Sequence, residues 1–413
     1  MDRQHSLSNL RIVWVITALT SGGIASVCRY AAETVARHTG SHCTLLVLHQ
    51  PQDAWIDEGS GMQFISLGMP LDAPQLFLEW LERNPQDVVI TNDVSKIEPC
   101  FPFFPKGVVH IVQMHDSGQR YLNIAIRNQS VIDGVLCVAR HVEDKLRSPL
   151  ANRNFHGLIG TVYNGADFPV SLVRPPHEGP LRLLFMGSLD PLIKGIFDLV
   201  PILHRLNKMG VPVQLTIAGG RASELESRFK KQRLDHLVTW MGRVAHEECY
   251  RLAAENDVFM LTSRHEAFGM VTIEAMCMGC VPIANDIPSG SREIIEHGKN
   301  GFLLPLGNFQ VWAETIKSLH ETRRRLREMS QAAMVRARTD FNCEKLAKGL
   351  GDFLNAVLLN SQSQPARRKS GMPEFSAPLT EKVNYRSLPP GIRSWVRNTV
   401  GSSPHLSWWW LNR

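Results

Sequence analysis

Apolar positions along the chain fall into short continuous runs, separated by stretches in which they recur every three or four residues. The first run covers 11–17, and its nearly unbroken apolar character predicts a strand covered on both faces. Ser21-Gly22-Gly23 follows it, and a helical pattern then covers 24–38. Runs at 43–48, 88–91, 108–113 and 135–138 read as further strands, with helical or loop segments between them. Such alternation predicts a parallel sheet with helices on both faces.

Near position 165 the pattern stops and then restarts. Asn164-Gly165 is a turn signal, and Pro169, Pro175, Pro176 and Pro180 follow it, which marks a linker. Strands are predicted at 181–186, 213–218, 237–241, 258–261 and 281–284. Helices are predicted at 195–209, 246–256, 269–278, 309–320, and from 321 to about 359. The fold class is therefore α/β: two Rossmann-like, doubly wound domains facing a cleft. Ligands bind such sheets at the carboxyl ends of the strands, so the cleft is the expected site. The reading divides the chain into 1–165, 166–340, a helical segment 341–360 and a tail 361–413.

The tail has its own composition. Arg367-Arg368-Lys369 lies in a polar stretch, and four of the nine tryptophans fall after position 390, which predicts that something covers them. The segment 385–397 interleaves basic and apolar residues. It suits an anionic membrane face, or, as the plainer reading, the protein's own surface.

Length and composition narrow the function. A chain of 413 residues is too long for one ordinary core, and 44% apolar with 20% charged residues excludes wholesale disorder. The net charge of +6 permits an anionic ligand or membrane surface without requiring one. No RNA-binding or zinc-knuckle signature appears, so no nucleic acid partner is expected. The eight cysteines are scattered, several inside apolar runs, as expected of reduced thiols in the cytoplasm. Cys277 and Cys280 form a lone CxxC with no second pair, which reads as helix packing rather than a metal or redox site. The first ten residues are polar and no run of about 18 apolar residues exists, so neither a secretory leader nor a membrane span is expected. No GxGxxG fingerprint is present, which argues against a nicotinamide enzyme.

The chemistry concentrates in 262–276, Thr-Ser-Arg-His-Glu-Ala-Phe-Gly-Met-Val-Thr-Ile-Glu-Ala-Met. A predicted strand ends at Leu261, a loop carries Glu266, and a helix begins near Gly269. A helix start offers free N–H groups and a positive dipole end to an anion. Gly269 lets a ligand approach the backbone closely. Glu274 follows Glu266 by eight residues, roughly 12 Å if all helical. Two carboxylates at that reach suit the hydroxyl-rich ends of a long ligand whose phosphates lie between them. Spacing alone favours the plainer alternative, a loop glutamate and a glutamate on a solvated helix face.

The wider segment resembles the signature of the retaining GT-B glycosyltransferases of glycosyltransferase family 4 (glycosyl transferases group 1). Glu266, Phe268, Gly269 and Glu274 match its E-x-F-G-x-x-x-x-E pattern position for position. The likeness continues through 280–284, Glu293-Ile294-Ile295 and Gly298-Lys299-Asn300-Gly301. It implies that Glu274 holds the ribose of a nucleotide, and that Glu266 with the backbone after it, Phe268 to Met270, holds the transferred sugar. Elsewhere, Asn164-Gly165-Ala166-Asp167 resembles the entry to the second domain, and Gly242-Arg243-Val244 the segment lining the base. Lys194-Gly195 resembles the diphosphate lysine, Ser21-Gly22-Gly23 the first glycine loop, and His115-Asp116 the active-site histidine. The likeness covers roughly 11–355 and is stronger in the second half.

One position departs. Where the family usually has an arginine six residues before the lysine, this chain has Ser188. That arginine grips the diphosphate leaving group, and losing one such donor often costs about 2.7–4 kcal/mol in the transition state. Arg264 is the nearest substitute by sequence position. No Asp-x-Asp occurs, so no metal and no other cofactor is expected, with Lys194 and the helix start neutralising the diphosphate. The resemblance implies transfer of a sugar from a nucleotide sugar to the hydroxyl of a glycan or lipid-linked acceptor with retention. The leaving phosphate takes the acceptor proton, and His115 contacts sugar or acceptor. It also implies a last helix that returns to the first domain, and closure about the 165–180 hinge. The alternative is a catalytically weak GT-B protein that binds nucleotide sugar as an assembly partner.

Overall fold

The computed structural model describes residues 7–19, 23–49, 55–56, 60–67, 73–169 and 178–363. Gly22, most of the proline-rich stretch and nearly all of the tail, with its basic and tryptophan clusters, lie outside the described residues.

The first half contains β1 (Arg11–Ile16), α1 (Gly23–Thr39), β2 (His42–Val47), β3 (Trp55–Ile56), β4 (Gln63–Ser66) and α2 (Ala73–Arg83). It continues with β5 (Val88–Asn92), β6 (Val109–Met114), α3 (Gln119–Arg127), β7 (Gly134–Cys137), α4 (Arg140–Ala151) and β8 (Leu158–Thr161). These strands form one sheet in the order β3-β4-β2-β1-β5-β6-β7-β8, and every pairing except β3 with β4 is parallel. The apolar run of β1 sits centrally and is buried on both faces, which is why it does not alternate.

The second half contains β9 (Leu181–Met186), α5 (Leu199–Lys208), β10 (Val213–Ala218), α6 (Ser223–Lys231), β11 (Val238–Gly242), α7 (His246–Glu255) and β12 (Val258–Leu261). Then come α8 (Met270–Cys277), β13 (Val281–Asn285), α9 (Ser291–Ile294), β14 (Phe302–Leu304), α10 (Phe309–Glu321), α11 (Arg323–Asp340) and α12 (Cys343–Ser363). Its sheet is wholly parallel, in the order β11-β10-β9-β12-β13-β14. Numbered within the half this is 3-2-1-4-5-6. The order reverses between β9 and β12, and that switch point opens a crevice at their carboxyl ends.

The last helical pattern is two helices rather than one, broken at Phe341 and Asn342. The break lets α12 leave the second half. Leu346, Leu350, Leu354 and Val357 recur at helical spacing along it and enter the core of the first half beside β1 and α1. Small residues make room: a side chain at Gly134 would sit 3.1 Å from Val357, and one at Gly349 would sit 2.9 Å from Val162.

The two passages between the halves run side by side. Ala166 pairs with Asn342, and its N–H donates to the Phe341 carbonyl at 3.0 Å. Gly165 is required there, because a Cβ would meet the Asn342 carbonyl oxygen at 2.5 Å. Tyr163, Phe268 and Phe341 pack their rings around this point, with centroids 5.7–6.0 Å apart. Among the described residues no helix is long and apolar enough to cross a membrane.

Candidate active site

Two loops meet at the switch point of the second sheet. One leaves β9 and carries Gly187 to Gly195, and the other leaves β12 and carries Thr262 to Gly269. Backbone bonds join them: the N–H of Arg264 donates to the Ile193 carbonyl at 2.8 Å, and the Thr262 hydroxyl donates to the Lys194 carbonyl at 2.9 Å. The Asn285 side chain, from the end of β13, holds the Thr262 and Ser263 carbonyls at 2.9 and 3.2 Å. Gly195 adopts φ +61°, and a Cβ there would lie 2.2 Å from the Thr262 carbonyl oxygen.

This joint presents Lys194 to Glu266. The ammonium donates to Glu266 Oε2 at 2.6 Å, and the Ser263 hydroxyl donates to the same oxygen at 3.3 Å. Both charged side chains are mostly covered, so this pair is screened less than a surface salt bridge. Arg264 also comes to the corner. Its guanidinium donates to the buried Asp198 at 2.8 Å and lies against Gly195. Ser188 is exposed at the end of β9.

Gly269, at φ +105°, turns the β12 loop into α8, whose first-turn N–H groups open the helix just after Glu266. Met270 begins the helix and is half-buried. The Phe268 side chain is buried in the ring trio described above, so this residue offers a ligand backbone rather than its ring. Glu274 lies on the second turn, buried, and faces α7, where His246 Nε2 donates to its Oε1 at 3.1 Å. The hydrogen bond that His246 donates to the Glu274 carboxylate raises the imidazole's pKa above its ordinary value. Glu266 and Glu274 thus stand on either side of the α8 start. Arg243 is exposed on the β11–α7 loop, at the edge of the sheet away from the switch point.

The first half contributes from the carboxyl ends of β5 and β6. His115 follows β6, and its Nε2–H donates to Asn92 Oδ1 at 2.8 Å, with Cys28 Sγ at 3.8 Å. Burial pushes this imidazole down to about 4, so it is neutral at neutral pH. Beside it is a small, partly open space of about 10 Å³, lined by Asp93, Gln113, His115, Asp116 and Tyr121 among others. Gln113 is buried, and its Oε1 has no partner among the described residues. Burial raises Asp93 to about 6. Gly23 begins α1 with open space at its Cβ position, so no contact there requires glycine.

Three contacts close the two halves over this region. His265 Nε2 donates to Asp116 Oδ1 at 2.9 Å. That bond raises His265, and although burial pushes Asp116 up, the bonds from His265 and the Gly118 N–H outweigh it and hold Asp116 below its ordinary value. Tyr30 of α1 approaches His246 Nδ1 at 3.5 Å. The Glu293 carboxylate of α9 accepts from the Arg140 and His141 N–H groups at 3.0 and 3.4 Å, capping α4 from the other half. His115 is thereby brought to the loop that carries Glu266, because Asp116 and His265 are their sequence neighbours. Among the described residues no group of three or more His, Cys, Asp or Glu side chains converges in a way that would hold a metal ion.

The motif pattern had located Glu266, Glu274, Lys194 and His115. His246, Asp198, Tyr30 and the capping role of Glu293 were not predicted. Each acts on a partner 28 to 216 residues away, and no local pattern marks such a contact.

Residues 173–336 match the family model of "Glycosyl transferases group 1". Glycogen synthase of Mycobacterium tuberculosis is 28% identical over 213 residues, which is 50% of this chain and 51% of that protein. D-inositol 3-phosphate glycosyltransferase of Pseudarthrobacter chlorophenolicus is 30% identical over 165 residues, 38% of this chain and 39% of that protein. The match therefore spans about half the length of these curated relatives or less. Among solved structures, sucrose-phosphate synthase of Thermosynechococcus elongatus superposes with a TM-score of 0.72 at 19% identity. It covers 85% of this chain and 100% of that one. Anabaena HepE in complex with UDP and glucose gives 0.66 at 17% identity, covering 84% and 100%. These likenesses establish the fold as GT-B, two Rossmann-like domains with the last helix returned to the first.

Proposed function

We propose that the chain is a glycosyltransferase that moves a sugar from a nucleoside-diphosphate donor to an acceptor hydroxyl, with retention of configuration and without a metal ion. The observation that carries this reading is the joint at the β9–β12 switch point. There Lys194, paired with Glu266, and the opening turn of α8 converge on one crevice. A lysine and a helix start together stabilise the charge that develops on a departing diphosphate. Their sequence also lies inside the matched family segment.

In this reading the donor diphosphate sits between Lys194 and the α8 start, with Glu274 holding the ribose and Glu266 the sugar. Arg264, fixed by Asp198 next to Gly195, supplies the second cation in place of the arginine that Ser188 replaces. Neutral His115 faces the reacting carbon, and the acceptor enters from the first half, where Asp93 and Gln113 offer polar atoms. The leaving phosphate takes the acceptor proton, so no protein base is needed for that step. The His265–Asp116 and Glu293–α4 contacts hold the cleft shut and exclude water. The acceptor class is a glycan or a lipid-linked sugar, the protein works in the cytoplasm, and an anionic membrane face is a further surface for it.

The test is thermal unfolding in EDTA with UDP, GDP, ADP and dTDP, on the native chain and on Glu274→Ala. A nucleotide at about 100 times its dissociation constant adds roughly 2.7 kcal/mol of stability. The expected result is stabilisation by one base, undiminished by EDTA and lost in the variant. No stabilisation by any of the four sinks the reading. Stabilisation that EDTA abolishes overturns the metal-free part alone. Exposed Ser188 favours one second reading, an assembly partner that binds nucleotide sugar. It takes over if the chain binds the nucleotide yet turns over no acceptor in a broad panel.

A further inference from the structure

Glu274 does not stand alone at the ribose position of the proposed function. His246, the first residue of α7, donates from Nε2 to Glu274 Oε1 at 3.1 Å and leaves Oε2 without a bond from that ring. The imidazole is fixed on its other sides. Tyr30 of the first half lies 3.5 Å from Nδ1, and the Tyr250 ring sits at 5.1 Å in an edge-on arrangement. Among the described residues no other side chain donates to Glu274, so the orientation of this buried carboxylate rests on His246.

We propose that His246 is the positioning residue for ribose recognition. It turns the Glu274 carboxylate so that one oxygen is held and the other faces the 2′,3′-diol of the donor nucleoside. The inference rests on the reading of the site as a nucleoside-diphosphate site, and it adds a residue to which that reading gave no role. The Tyr30 contact places the same imidazole against the first half, so ribose recognition in the second half is completed when the two halves meet.

A carboxylate that is held by a donor on one oxygen keeps its second oxygen at a fixed place. Without the imidazole it rotates about its last bond, and the buried charge turns toward whatever donor is left. The loss is therefore specific to ligands that carry the diol. Two variants separate positioning from mere packing: His246→Ala removes the donor, and His246→Gln puts an amide N–H back at nearly the same reach. The ring is 40% exposed, so neither change opens a core cavity.

The measurement is calorimetric titration of UDP and 2′,3′-dideoxy-UDP, or the same pair built on whichever base the unfolding test selects. The native chain is expected to prefer the ribonucleotide. In His246→Ala, affinity for the ribonucleotide falls about tenfold, the value of one hydrogen bond to a charged group, while the dideoxy compound changes less than about twofold. His246→Gln recovers most of the loss. Equal weakening of both compounds, or no change in either, overturns the positioning role and leaves the site reading intact. A native chain that binds the nucleotide without discriminating against the dideoxy form overturns the ribose role of Glu274 and the inference with it. A native chain that binds neither compound overturns the site reading itself.

Discussion

Lys194→Ala is expected to lower turnover by about 10²–10³-fold, the usual cost of removing one donor aimed at developing charge. The melting temperature should fall far less than the activity, because the Lys194 backbone, not its ammonium, makes the joint with Thr262, and Glu266 keeps the bond from the Ser263 hydroxyl. Two effects add. The diphosphate loses its cation, and Glu266 is left as an uncompensated carboxylate beside the incoming phosphates. Glu266→Ala in the Lys194→Ala background should therefore restore part of the lost nucleotide affinity, since neighbouring charges that share one interaction are not additive. Turnover of the donor selected by the unfolding test, with nucleotide affinity measured alongside, checks both. Turnover within about threefold of native in Lys194→Ala would remove the lysine from the mechanism. An added cost of Glu266→Ala equal to its cost alone would show that the 2.6 Å pair is not an energetic unit.

Much of this architecture was legible because buried parallel strands and amphipathic helices leave different periods in the sequence. The runs at 11–17 and 258–261 are found as β1 and β12 because both faces are covered there. The missed strands are β3 and β14, with two and three residues, and β4 and β8, whose four residues are largely half-buried and so leave no continuous apolar run. The division of the last helical pattern at Phe341 does not show in the apolar spacing, which runs on across it, and the boundary expected at 340/341 came from the family likeness alone. What stops the helix is tertiary, the pairing of Ala166 with Asn342 and the ring of Phe341 packed on Tyr163 and Phe268. Within the site, the motif residues were legible because one loop and one helix start hold them in sequence. Asp198 and His246 were not. Their partners, Arg264 and Glu274, come to them only through the packing of α5 and α7 on the sheet. Phe268 shows the limit from the other side, for a pattern match named the residue and only the fold showed that its ring belongs to the crossing between the halves.

Gly195→Ala should separate the joint from the charges it carries. All the charged groups remain, yet the substitution asks a residue at φ +61° to take a Cβ that would lie 2.2 Å from the Thr262 carbonyl oxygen and 2.4 Å from the Arg264 guanidinium. The left-handed conformation alone costs roughly 1–2 kcal/mol for a residue with a side chain. The overlap with backbone is not relieved by a rotamer change. The β9 loop must move away from the β12 loop, which breaks the bonds that Ile193 and Lys194 accept from Arg264 and Thr262. A displacement of about 1 Å at such a site often costs near 10²-fold in rate. The expected outcome is thus a melting temperature lowered by roughly 2–8 °C, with turnover and nucleotide affinity falling far more than that loss of stability accounts for. Lys194 is then present but misplaced, so adding Lys194→Ala to Gly195→Ala should cost much less than the 10²–10³-fold it costs in the native chain. If the two changes instead multiply in full, Gly195 does not act through the lysine, and the joint between the loops is structural support rather than part of the machinery that holds the diphosphate.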